Sequence, residues 1–195
     1  MTDAEAQRSN PHQNLVASPW VARFAPLIAA QGRVLDLASG YGRNARHLAA
    51  LGCRVLAVDR DAAALATLAG VGGIDTRVAD LESDAWPFAG LAFDAIVVTH
   101  YLHRPLFDPL LAALRPGGVL LYETFAEGNA AFGRPSRAEF LLQPDELLLR
   151  FGASLRVVAF EQGQVDLPCP SVIQRICATG RAHRWPPLLL PPLPA

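Results

Sequence analysis

Asp36, Asp59 and Asp80 each stand at or just past the end of a short run of strand-forming residues, one strand–helix unit apart from the next. If those strands lie parallel, all three carboxylates fall on one edge of a sheet, where open α/β sheets bind their ligands. The first is followed by Ala38-Ser39-Gly40-Tyr41-Gly42, a tight turn in which glycine lets the backbone adopt positive φ and pass close to a ligand. Asp59 is in range of the vicinal hydroxyls of a ribose, which a carboxylate accepts as a pair. Asp80 can accept from the exocyclic amine of adenine. One strand-end aspartate by itself is as readily a loop cap, and Asp61 reads better as the cap of the following helix. The joint spacing of three is what points to a ligand.

A second cluster, Thr99-His100-Tyr101-Leu102-His103-Arg104, follows a very apolar run. His100 and His103 are candidates to face a substrate, with Tyr101 beside them; the bland alternative is a pair of structural histidines. Their i, i+3 spacing also suits a metal, but no nearby carboxylate or thiol completes a set of ligands, so no metal is expected. Glu123 is either a base or a loop anchor. The segment 126–140 has glycines as hinges, two aromatics, and Arg134 and Arg137, which either bind an anionic acceptor or are simply solvated. Its length predicts a mobile lid facing His100 and His103.

The elements that must position these residues alternate along the chain. Ser18-Pro19 opens a helix carrying Trp20, Val21, Phe24, Leu27 and Ile28 on its apolar face. Strands are predicted at Arg33–Leu37, Arg54–Val58, Thr76–Ala79, Phe93–Thr99 and Val119–Phe125. Helices are predicted over Asn44–Leu51, Ala62–Ala69, Pro105–Leu114 (stopped by Pro116-Gly117-Gly118) and Pro144–Phe151. Leu155–Phe160 and Ser171–Ala178 read as two last strands joined by a long loop, with no helix between them. The fold expected is therefore α/β and doubly wound: a mostly parallel seven-stranded sheet, helices on both faces, closed by a C-terminal antiparallel hairpin. Residues 1–14 read as a loose segment, 15–180 as one domain, and 181–195 as a proline-rich tail.

At the strand-end motifs the sequence resembles the class I, Rossmann-like methyltransferases that use S-adenosylmethionine. Val34-Leu35-Asp36-Leu37-Ala38-Ser39-Gly40-Tyr41-Gly42 looks like their first motif, with Ala38 where the family usually has its first glycine. Asp59 matches their ribose-binding acid, Asp80-Leu81 their adenine-side pair, and Phe93-Asp94-Ala95-Ile96-Val97 their fourth motif. Leu114-Arg115-Pro116-Gly117-Gly118-Val119-Leu120 is similar to the turn before their fifth strand. The resemblance covers about residues 34–179, and more loosely it extends to the tellurite-resistance and small-molecule methyltransferases. It implies that Asp36, Ala38, Gly40 and Gly42 lie along the methionine part of the cofactor. Asp59 would then lie at the ribose, and Asp80 and Leu81 at the adenine, with Arg60 also among the cofactor-binding residues.

Composition narrows the rest. Hydrophobic residues are 51% and charged residues 18% of the 195, which excludes a disordered chain. A formal net charge of -1 without any dense basic run makes nucleic acid an unlikely partner and a small-molecule acceptor the better fit. Cys53, Cys169 and Cys177 lack CxxC spacing, the start is polar, and no run is long enough to span a membrane, so a cytoplasmic protein is expected. Two rivals remain. Gly40-Tyr41-Gly42-Arg43-Asn44-Ala45 satisfies the GxGxxG/A pattern of nicotinamide-dependent oxidoreductases, but Asp36 would repel a pyrophosphate there. The other is a non-catalytic protein that keeps an S-adenosylmethionine pocket. A nucleic-acid methyltransferase would carry an Asn/Asp-Pro-Pro-aromatic motif after the fourth strand, and Thr99-His100-Tyr101-Leu102 is not that.

Overall fold

The computed structural model describes residues 15–83, 86–167 and 169–184. The N-terminal segment expected to be loose, and the part of the expected proline-rich tail beyond residue 184, lie outside the described residues.

Ser18 starts helix α1 (Pro19–Phe24), its Oγ accepting from the Trp20 and Val21 amides at 3.1 and 3.5 Å, with Pro19 at the first helical position. A 3₁₀ turn, Ala25–Leu27, leads to β1 (Arg33–Leu37). There follow α2 (Arg43–Ala50), β2 (Arg54–Asp59), α3 (Ala62–Ala66), β3 (Ile74–Val78) and β4 (Phe93–Thr99). The second half runs α4 (Phe107–Ala113), β5 (Leu114–Phe125), α5 (Glu146–Gly152), β6 (Arg156–Val165) and β7 (Ser171–Thr179). The strands form one sheet in the order β3-β2-β1-β4-β5-β7-β6. β1 to β5 are mutually parallel where they pair, and β7 runs antiparallel to both β5 and β6. The doubly wound sheet with its terminal hairpin is as the sequence predicts.

Alternation along the strands builds two cores. Val34, Val55, Ala57, Ala95, Val97, Val119 and Leu121 pack on Trp20, Phe24, Leu48 and Leu65 of α1 to α3. Leu35, Leu37, Ile96, Val98, Leu120 and Tyr122 pack on Phe107, Leu110, Leu147 and Phe151 of α4 and α5. Because successive strand residues face opposite sides, Asp36 and Glu123 share the α1–α3 face with Val34 and Leu121. Both are polar intrusions into an apolar layer, buried to 1% and 6% exposure.

Several boundaries differ from expectation. β3 begins two residues earlier and ends one residue earlier, its register running from Val55↔Ile74 to Asp59↔Val78; its mostly exposed residues gave a weak apolar signal. Pro116-Gly117-Gly118 follows the helix as a bulge inside β5, between the Phe93↔Leu114 and Ala95↔Val119 pairs. The chain past β7 bonds to that bulge, Gly180 and Ala182 amides donating to the Gly118 and Pro116 carbonyls at 2.8 and 3.0 Å. β6 continues to Val165, well beyond Phe160, so the hairpin loop is short. Gln162 and Gln164 form this polar, exposed extension, which hydrophobic patterning does not register.

Candidate cofactor site and acceptor face

At the end of β1, neither carboxylate oxygen of Asp36 has a hydrogen-bond partner. Burial pushes its carboxyl up to about 7, against the pull of the Ala45 amide, which lies outside normal hydrogen-bond geometry, and of Arg43, with a small push from the Asp59 charge. An unpaired buried carboxylate is costly, and a site carrying one is completed by a cation or a strong donor. Ser39 Oγ and the Tyr101 hydroxyl are likewise buried and unpartnered. Nothing in the sequence singles out Ser39, since a serine in a glycine turn is ordinary turn chemistry.

The turn after β1 is left-handed three times, at Ala38 (φ 52°), Gly40 (φ 53°) and Gly42 (φ 72°). The two glycines serve different ends. A Cβ on Gly40 would meet nothing within 4 Å, so open space lies over that residue. A Cβ on Gly42 would stand 2.6 Å from the Leu68 methyls, so this glycine lets α2 sit close to the segment after α3. Ala38 holds its left-handed conformation despite its methyl group.

Asp59 braces the turn: Oδ2 accepts from the Gly40 amide at 2.7 Å and Oδ1 from the Asp61 amide at 2.9 Å. A carboxylate oxygen accepts more than one bond, so both keep capacity for a diol. Asp61 caps α3 as expected, accepting from Ala63 and Ala64 at 2.9 and 3.0 Å. Arg60 is exposed between them. At the end of β3, Asp80 Oδ1 accepts from the Glu82 amide at 3.0 Å. The Glu82 amide and the Ser83 hydroxyl hold its carboxyl below the usual range, and Leu81 beside it is buried.

Beyond β4 and β5 lies the other group of candidates. His100 has φ 55°, donates its amide to the Glu123 carbonyl at 2.9 Å, and rests its exposed ring on Phe125 at 5.0 Å. His103 is half-buried at the start of a 3₁₀ turn. Arg104 is a clamp: it grips Glu146 at 2.7 and 2.8 Å and the Glu139 and Leu141 carbonyls at 2.9 Å each.

Glu123 is engaged on both oxygens. Oε1 accepts from Ser18 Oγ at 2.8 Å and Oε2 from Arg175 at 3.2 Å. Arg175 also binds Glu161 at 2.6 and 2.9 Å and lies 4.8 Å over the Trp20 ring. Of its two sequence readings, this geometry matches the anchor. Buried Asn44 extends the network, accepting from the Ser18 amide at 2.9 Å and donating to Thr99 Oγ1 at 3.0 Å.

Segment 126–140, the expected lid, is tied to the rest of the chain at several points. Ala126 bridges Leu142, and the Ala126 amide donates to Val172 at 2.9 Å. Buried Asn129 donates to the Pro135 carbonyl and accepts from the Val172 amide, each at 3.0 Å. Phe132 and Gly133 amides both donate to the Asn129 carbonyl. The ties to Val172 and Arg104 come from residues distant in sequence, whereas Asn129 to Pro135 is a local one. Arg134 stays exposed at the tip, while Arg137 pairs with Glu139.

Among the described residues no group of three or more His, Cys, Asp or Glu side chains is arranged to hold a metal ion, and no helix is long and apolar enough to cross a membrane.

A parallel sheet with acids at the ends of β1, β2 and β3, over a left-handed turn open at Gly40, is an open α/β architecture of the kind that binds ligands at its strand ends. Within that class, a family described as "methyltransferase domain" matches residues 10–147, and the chain belongs to it; the oxidoreductase reading is set aside. A demethylmenaquinone methyltransferase of Clavibacter sepedonicus is 36% identical over 105 residues, 48% of this chain and 41% of that protein. This chain thus spans less than half of that relative's length. Among solved structures, TehB of Haemophilus influenzae aligns with a TM-score of 0.71 at 20% identity, over 85% of this chain and 63% of that one. The N-methyltransferase NodS of Bradyrhizobium japonicum, in complex with S-adenosyl-L-homocysteine, aligns at 0.66 and 18% identity, over 89% and 94%. At these identities the likeness speaks for the fold.

Proposed function

We propose that the protein transfers a methyl group from S-adenosylmethionine to a small-molecule acceptor. The observation that carries this reading is the Asp36 carboxylate, buried and unpartnered beside a turn that is open at Gly40. A phosphate would be repelled there; an amino-acid ammonium would pair.

When bound, S-adenosylmethionine supplies an electrophilic methyl on a sulfonium. Asp36 and Ser39 would hold its ammonium end, with Ala38, Gly40 and Gly42 forming the floor. Asp59, already fixed by two backbone amides, would take the ribose hydroxyls, with Arg60 at the rim. Asp80 would accept from the adenine amine while Leu81 covers the ring. The residues present fit the group.

On the acceptor side, the protein's task is alignment and exclusion of water, because the displacement itself needs little covalent help. His100, Tyr101, His103 and Arg134 are the sequence's candidates there. A base is required only for an acceptor that arrives protonated, and His100 or His103 would serve. Net charge of -1 supports a small acceptor, and three free thiols support a reducing, cytoplasmic setting.

Calorimetry with S-adenosylhomocysteine and with NADH tests the reading: the first is expected to bind, the second not. Binding of neither, or of NADH alone, would overturn it. A metabolite-extract screen with radiolabelled methyl donor then identifies the acceptor.

A further inference from the structure

Tyr101 follows β4 directly, and its position in the sequence suggests the acceptor side. Its surroundings suggest the opposite. His100 takes up the left-handed φ of 55° between strand and tyrosine, so the strand's simple alternation ends there. The Tyr101 carbonyl is fixed by the Tyr122 hydroxyl, which donates to it at 3.0 Å. The ring then packs, half-buried, on the core that contains Ala79, Leu81 and Phe88, residues at and after the end of β3.

The Tyr101 hydroxyl is buried and has no hydrogen-bond partner. The charged groups acting on it are Glu82, Asp80, Arg60 and Asp59, all from the ends of β2 and β3. Burial foremost, then these acids, keep the phenol protonated far above neutral pH. It is therefore a donor with nothing to donate to, close to the acids at the ends of β2 and β3.

We propose that Tyr101 belongs to the nucleoside half of the cofactor site, its ring against the adenosine and its hydroxyl donating to a ring nitrogen of the base. The inference rests on the S-adenosylmethionine reading of the same site. Paired with Asp80, which takes the exocyclic amine, Tyr101 would present one acceptor and one donor to the base edge. Adenine offers the matching donor and acceptor; guanine offers a carbonyl where Asp80 needs an amine. The residue would thus contribute to base selectivity.

Tyr101→Phe is the test, because it removes an oxygen that makes no bond in the free protein. The variant should unfold at the same temperature as the wild type or slightly higher. Its affinity for S-adenosylhomocysteine and for 5′-methylthioadenosine, which lacks the amino-acid end, should fall by the same factor, about tenfold for one lost buried bond. Unchanged affinity for both ligands in the folded variant overturns the assignment and leaves the cofactor reading intact. A loss confined to S-adenosylhomocysteine also overturns it, placing the hydroxyl at the amino-acid end. A wild type that binds neither ligand overturns both.

Discussion

With its carboxyl raised to about 7 by burial, Asp36 carries a proton in the folded protein that the unfolded chain has lost above pH 4. Stability should therefore fall as pH rises from about 4 to about 7 and level off beyond, the reverse of an ion-paired aspartate. Three units correspond to about 4 kcal/mol. Asp36→Asn should flatten that part of the curve and be more stable than wild type at pH 8, as urea unfolding at pH 5 and 8 would show. Binding should move the other way. Wild-type affinity for S-adenosylhomocysteine is expected to rise through pH 7 as the carboxylate ionises, and Asp36→Asn to lose both affinity and slope. Parallel pH curves for the two proteins would remove Asp36 from the site.

The β1–α2 turn should answer opposite substitutions in opposite ways. Ala38 pays the left-handed penalty of an L-residue at φ 52°, so Ala38→Gly should stabilise the protein by about 1 kcal/mol. Gly42→Ala adds the same methyl where Leu68 is only 2.6 Å away and φ is 72°, and should cost about 1–3 kcal/mol. Thermal unfolding of both variants checks the pair; equal signs would mean that the turn is not set as described. Segment 126–140 has a comparable test. Asn129→Ala strands the Val172 amide and frees the Pro135 carbonyl, at a cost of about 1–3 kcal/mol. Amide exchange should quicken at Val172 and across 129–133, whereas a segment already loose would exchange no faster.

Across the molecule, Glu123, Arg175, Glu161, Ser18 and Trp20 tie β5, β7, β6 and the start of α1 on the face that also carries Asp36. Removing one partner of such a buried pair leaves the other charge short of compensation. Glu123→Ala should cost about 3 kcal/mol, read by denaturant unfolding, with S-adenosylhomocysteine affinity nearly unchanged. Glu123→Gln separates anchor from base. A folded, stable variant with turnover abolished would make Glu123 the base after all, whereas lost stability with turnover retained fits the anchor.

The sequence by itself determined the order of the strands and which edge of the sheet gathers the three acids. Local spacing suffices for that, since a parallel sheet carries Asp36, Asp59 and Asp80 to the same end whatever the details of packing. The cap at Asp61, the terminal hairpin and the family follow from the same short-range patterns. Only the tertiary structure decided which of these groups already have partners. Asp36 is left bare while Asp59 is braced by Gly40, and Glu123 is occupied by Ser18 and Arg175, contacts that span 105 and 52 residues for the latter pair. Segment 126–140 looks loose in sequence because its glycines and arginines are local, while its fastenings, Arg104 and Val172, arrive from other elements. Tyr101 likewise owes its surroundings to a left-handed residue at His100 and to side chains from β2 and β3. Hydrogen-bond satisfaction is a property of atoms brought together across the fold, and residue type and spacing do not encode it.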